Sequence, residues 1–143
     1  MTLCSISIDF QFLSFLAVIF GWFLVNNLNI RREQRSEWRK FARELASSAE
    51  IIEKEALEYH RKADRDRELE EIIIQHIDRL EAKYTLLEKK MRVKAFLAAQ
   101  LRQAVTLENF FTDTHTSCGI SSDVYGKITK ATLDIINDLY GAT

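Results

Sequence analysis

The chain has 143 residues, a formal net charge of −1 and two cysteines. That is one small domain's worth of sequence, with no overall field to recruit nucleic acid and no disulfide framework. It contains no proline and four glycines, and its abundant Ala, Leu, Glu, Lys and Arg point to long helices.

Residues 1–9 carry Asp9 and no Lys or Arg. They form a short segment ahead of the stretch Phe10–Val25, which is uncharged and holds only two polar residues, Gln11 and Ser14. With Ile6 and Ile8 before it and Asn26 to Ile30 after it, a helix over 10–30 is long enough to cross a bilayer, which takes roughly 20 mostly apolar residues. Phe10, Phe12, Trp22 and Phe23 lie towards its ends, where aromatic rings favour the interface. A cleavable signal peptide fits poorly, because no basic n-region precedes the run and no Ala-x-Ala site follows it. A buried core helix is apolar all round in the same way and is the other competing reading.

The flanking charge is one-sided. Arg31, Arg32, Arg35, Arg39, Lys40 and Arg43 all follow the apolar run. The positive-inside rule then puts the N-terminus outside and residues 31–143 in the cytoplasm, with the span in the inner (cell) membrane. Cys4 and Cys118 fall on opposite sides of that membrane and cannot pair within one chain. Along the span, Gln11, Ser14, Val18, Gly21, Val25 and Leu28 recur at spacings 3, 4, 3, 4, 3. Small and polar side chains at such a seam let helices approach and hydrogen-bond in lipid. The seam therefore reads as a self-association face, with a narrow pore as its furthest extension. A monomeric anchor whose Gln11 and Ser14 lie near the interface is the plain alternative.

Helix is expected to run on from Ile30 to about Lys62. Ala42, Leu45, Ala49, Ile52, Ala56, Tyr59 and Ala63 continue the heptad, and alternate alanines allow close packing of a partner helix. Every residue from Arg61 to Glu68 except Ala63 is charged. A turn is expected there, with Asp64 or Asp66 capping the next helix; an unbroken rod is the alternative. The second helix starts near Arg67 and carries Ile73, Ile77, Leu80, Tyr84, Leu87 and Met91 on one face. Two such helices make an antiparallel coiled-coil hairpin. The pattern continues as helix from Val93 to about Asp113, with Gln100–Phe111 as a buried join. A loop over 112–121 follows, then a last helix capped by Ser121 or Ser122. Val124, Ile128, Ala131, Ile135 and Leu139 are its apolar stripe, and Gly141 its C′ residue. The fold class is all-α: a single transmembrane helix, then a three- to four-helix bundle.

A second basic cluster, Lys89, Lys90, Arg92 and Lys94, is expected to return to the level of the first. Both clusters are then candidates for anionic lipid headgroups, at about 1 kcal/mol per charge near the surface. An ordinary solvated helix face explains the second cluster equally well.

No chemistry stands out. His60 pairs with Asp64 at i+4 on the surface, and His76 flanks the seam with no carboxylate three or four residues away. Asp113, His115 and Cys118 could make an activated thiolate, but a Ser/Thr-rich loop explains the same residues. Metal-ligand motifs are lacking, as is a phosphate loop. No arginine stands five to seven residues before any histidine, as the dyad of small helical RNases requires. The expectation is a non-enzyme without a cofactor.

The layout of one span, an arginine-rich collar and about a hundred helical residues resembles small membrane-anchored proteins of bacterial anti-phage systems. These include the single-span accessory of some RNA-targeting CRISPR systems and the membrane effectors of some retrons. The resemblance is one of layout and carries no site residues. It implies oligomerisation in the membrane and loss of membrane integrity. A tethered adaptor or scaffold that docks a cytosolic protein through its helical hairpin is the alternative.

Overall fold

The computed structural model describes residues 3–107, 109–112, 115–119 and 122–142, with side chains from Phe12 onward. Among the described residues the fold is all-helical, with α1 Leu3–Arg61, α2 Arg67–Glu88, α3 Phe96–Thr106 and α4 Asp123–Gly141. The chain divides into two compact units, Met1–Arg39 and Lys40–Thr143.

In the first unit α1 begins at Leu3, ahead of the expected span over 10–30. No proline interrupts it, and no charge stands between Asp9 and Arg31. From Phe12 to Ile30 every residue is exposed except Gly21, which is half-buried.

The second unit holds the core. Ala42, Leu45, Ala49, Ile52, Ala56 and Tyr59 are all buried along α1, and Ile73, Ile77, Leu80, Tyr84 and Leu87 along α2. Ala63, the expected end of the first row, is exposed, because α1 has already stopped at Arg61. The expected turn lies between Arg61 and Arg67, and Asp66 caps α2 through the Leu69 N–H at 3.0 Å. Across it, Tyr59 meets Glu70 and Glu55 meets His76. Descending positions of α1 thus face ascending positions of α2.

The end of α1 explains why the chain turns without glycine or proline. The last carbonyls of a helix have no partner inside it. Here His60 O accepts from the Cys118 N–H at 2.8 Å, while the Tyr125 hydroxyl adds a bond to Leu57 O one turn earlier at 2.9 Å. Arg61 O accepts from the Ser117 hydroxyl at 2.9 Å, and Lys62 O from His115 Nε2–H at 3.0 Å. The Ser/Thr-rich loop is therefore the cap of α1.

Two expected elements need correction. The second helix does not run through to Asp113: α2 ends at Glu88 and α3 covers only Phe96–Thr106. In one continuous helix Lys89–Arg92 and Lys90–Lys94 would be like-charge neighbours at i+3 and i+4. The break relieves this, and distant carboxylates collect the freed donors. Lys94 N–H donates to Asp138 Oδ2 at 2.8 Å, and Ala95 N–H to Glu88 Oε1 at 3.3 Å. On α4, Thr132 takes the buried place expected of Ala131. Ser122 holds the N-cap position, but its hydroxyl makes no capping bond. Gly141 is the last helical residue rather than a left-handed C′, and no described glycine has positive φ.

α3 and α4 are drawn onto α2 by polar anchors. Arg102 of α3 forks onto both oxygens of Glu81 at 2.8 Å and also reaches Asp78. Tyr84 of α2 donates to Asp138 of α4 at 2.8 Å.

Candidate functional site

Two regions stand out: the apolar segment of α1, and a polar cluster where α1, α2 and the loop after α3 meet.

The apolar segment is long enough to cross a membrane by length and composition, and nothing in its own unit covers it. Leu13, Phe15, Val18, Phe20, Trp22 and Val25 are each more than half exposed. A core helix hides such side chains, so the core-helix reading loses its footing here. The continuous α1 puts Gln11, Ser14, Val18, Gly21, Val25 and Leu28 on one stripe. The Gln11 side chain lies outside the described residues. Ser14, Val18 and Val25 are exposed, and a Cβ built on Gly21 meets no atom within 4 Å.

Arg31, Arg32, Arg35 and Arg39 are exposed on α1 in the first unit, and Lys40 is exposed at the start of the second. Lys89, Lys90, Arg92 and Lys94 are exposed too, but in the non-helical link from α2 to α3. Arg92 and Lys94 share one cleft with Phe96, Asp134 and Asp138.

The polar cluster is built around Glu70, only 3 % exposed. Arg65 clamps Glu70 Oε2 with Nε at 3.1 Å and Nη2 at 2.8 Å. Glu70 Oε1 accepts from the Phe111 N–H at 2.5 Å and lies 3.3 Å from the Tyr59 hydroxyl. That hydroxyl also reaches Asn109 O at 3.2 Å. Phe111 is held with φ 60°, a left-handed backbone that bulky residues adopt at a cost of about 1–3 kcal/mol. Burial, with the Glu70 carboxylate second, pushes the Tyr59 hydroxyl up to about 12. Burial and then the Asp138 bond push Tyr84 upward likewise. Both phenols therefore stay protonated donors at neutral pH, unsuited to proton transfer.

The histidines sit differently from their sequence reading. His60 is fully buried rather than paired with Asp64 on the surface. Its Nε2–H donates to Val105 O at 2.9 Å, so Nδ1 is left to accept from Asn109 Nδ2–H at 3.2 Å. The Asn109 amide also donates to Thr116 O at 2.8 Å and accepts from Thr116 N–H at 3.2 Å. His76 pairs with Glu55 across the helices at 2.8 Å. Of the Asp113/His115/Cys118 trio, Asp113 lies outside the described residues. His115 spends Nε2–H on the end of α1, and Cys118 Sγ faces Thr116 O at 3.6 Å. Among the described residues no group of three His, Cys, Asp or Glu side chains is placed to hold a metal ion.

Sequence reasoning missed Glu70, Arg65 and Asn109. The signal available was that Glu70, unlike Glu68 and Glu71 beside it, falls on the face that holds Ile73 and Ile77. No protein-family model, curated protein or solved structure matches this chain.

Proposed function

We propose that this is a single-pass protein of the inner membrane, N-terminus outside, that self-associates through the Gln11/Ser14/Gly21 stripe and perturbs the bilayer when triggered. In this reading residues 31–143 are a cytoplasmic antiparallel coiled-coil hairpin completed by α3 and α4 as a bundle. Its basic residues Arg31–Lys40 and Lys89–Lys94 lie at anionic headgroups, as in the anti-phage effectors whose layout the chain resembles. The observation that carries it is the all-round exposure of the uncharged segment Phe12–Ile30, along which Ser14 and Gly21 share one stripe. The test is the mass of the full chain in mild detergent or nanodiscs, followed by vesicle leakage. A ring of roughly four or more copies with dye release supports the reading. Gly21→Leu and Gln11→Leu together are expected to abolish both; retained leakage removes the stripe from the mechanism.

A second reading, a tethered adaptor for a cytosolic protein, is favoured by Phe111. Its ring is 68 % exposed on a left-handed backbone fixed by Glu70. Aromatic side chains displayed this way anchor protein interfaces. A monomeric full chain that retains a partner, and loses it on Phe111→Ala, selects this reading.

A further inference from the structure

One surface feature is absorbed by neither reading. α3 and α4 pack with an open cleft along their outer side. Ala104 of α3 and Ala131 of α4 line it, with Gln100, Lys130 and Asp134 around them. Towards the end of α4 the cleft continues past Asp134 to Gly141, flanked by Arg92, Lys94 and Phe96. Small residues at such a place let a further helix come close.

Asp123, Lys127, Lys130, Asp134, Asn137 and Gly141 recur at helical spacing along the outer face of α4, and the first four are charged. This set of positions is symmetric about residue 132. Reversed against itself, it brings Lys130 of one copy to Asp134 of the other, and the same contact recurs across the two-fold. It also brings Asp123, whose side chain is 80 % exposed and bridged to Lys127, to the Gly141 end. There Arg92 and Lys94 supply positive charge. A pattern that is complementary to its own reverse is what an isologous two-fold contact requires.

We propose that the α3–α4 cleft docks a second copy of this chain, α4 against α4 in antiparallel pairing, with Lys130–Asp134 contacts on both sides of the axis. The proposal rests on the membrane-anchored, self-associating reading above. The face is largely polar and suits a contact that is weak in dilute solution and formed once anchoring raises the local concentration. It names a cytoplasmic self-contact separate from the stripe on the span.

The test uses the full chain in nanodiscs or detergent with a zero-length carbodiimide, which joins a lysine amine to a carboxylate in contact. Mixed isotopically labelled and unlabelled copies report which cross-links run between chains. The expected product is a dimer carrying an intermolecular Lys130–Asp134 link. Lys130→Asp alone and Asp134→Lys alone are each expected to lower the dimer fraction, read without cross-linker from the mass of the intact chain, on the order of tenfold, since like charges then face each other. The double exchange restores it, and circular dichroism checks that helicity is unchanged in all three. An unchanged dimer fraction in both single variants overturns the cleft contact. If Gly21→Leu with Gln11→Leu then abolishes the dimer, the span reading stands without it. Loss in the single variants with no rescue in the double overturns the antiparallel register. A wild-type chain that is monomeric throughout overturns both the cleft contact and self-association through the span, whereas a dimer that survives the span variants and falls with Lys130→Asp supports the cleft alone.

Discussion

At the scale of single residues, the tightest constraint is Glu70. It is buried, it carries the Arg65 fork, and it holds the Phe111 N–H that fixes a left-handed backbone. Removing one partner of a buried ion pair leaves the other uncompensated, at a typical cost of several kcal/mol. Glu70→Ala is expected to destabilise the protein by roughly 3 kcal/mol in urea titration, near the low end because Arg65 keeps some solvent contact. Glu70→Gln keeps an acceptor for Phe111 and should cost less; equal losses refute the ionic part of the argument. Asp66 gives a pH signature. The Lys62 ammonium, and then the Leu69 N–H, hold its carboxyl below the ordinary 3.8. A carboxyl lowered in the folded state stabilises fully above that value and stops doing so as pH falls through the lowered one. Wild type and Asp66→Ala should therefore differ in thermal midpoint at pH 6 and converge in strong acid; a gap that is constant with pH contradicts this. Single residues are also where the sequence was least informative. The partners of His60, Val105 and Asn109, lie 45 and 49 positions away, so the carboxylate at i+4, Asp64, gave the wrong surroundings.

At the scale of elements, the heptad rows were legible because burial follows helical period. Every expected position from Ala42 to Tyr59 and from Ile73 to Leu87 is buried. The turn after Arg61 was legible from its unbroken charge, and the Asp66 cap from residue type. The end of α2 was not. No glycine or proline marks it, and the carboxylate that takes up the Lys94 N–H belongs to Asp138, 44 residues on. Tertiary capture of backbone donors leaves no trace in local propensity. The alanines of α1 make the packing argument testable. Ala56 is fully buried where α1 and α2 are tied by Glu55–His76 and Tyr59–Glu70. Ala56→Leu adds methylenes where neighbouring side chains leave no exposure, and should cost about 1–3 kcal/mol. Lys54→Leu, on the exposed side of the same turn, should fall within about 0.5 kcal/mol of wild type. If the two substitutions cost the same, the α1 row is not close-packed.

At the scale of the molecule, the two units bury very different amounts of their apolar surface. The first exposes Phe12 to Ile30 almost entirely, whereas the largest fully buried side chains, from Leu45 to Leu139, all belong to the second. On the proposed membrane-anchored reading, the helix of the first unit is favoured by a medium that takes up apolar side chains on every side. This separates the roles of the two units in a way one experiment can test. Removing residues 1–39 should leave a soluble helical protein with a single cooperative melt, because Tyr59, Glu70, His60 and Asn109, which lock the end of α1 to the loop, are all retained. A domain of about 100 residues with that core is expected to unfold with about 5–10 kcal/mol in urea, coincident by circular dichroism and tyrosine fluorescence. The full chain, by contrast, should need detergent to stay dispersed. If the 40–143 fragment aggregates or melts without a cooperative transition, the first unit supplies part of the fold. The exposure of Phe12–Ile30 would then mark a face awaiting protein rather than lipid.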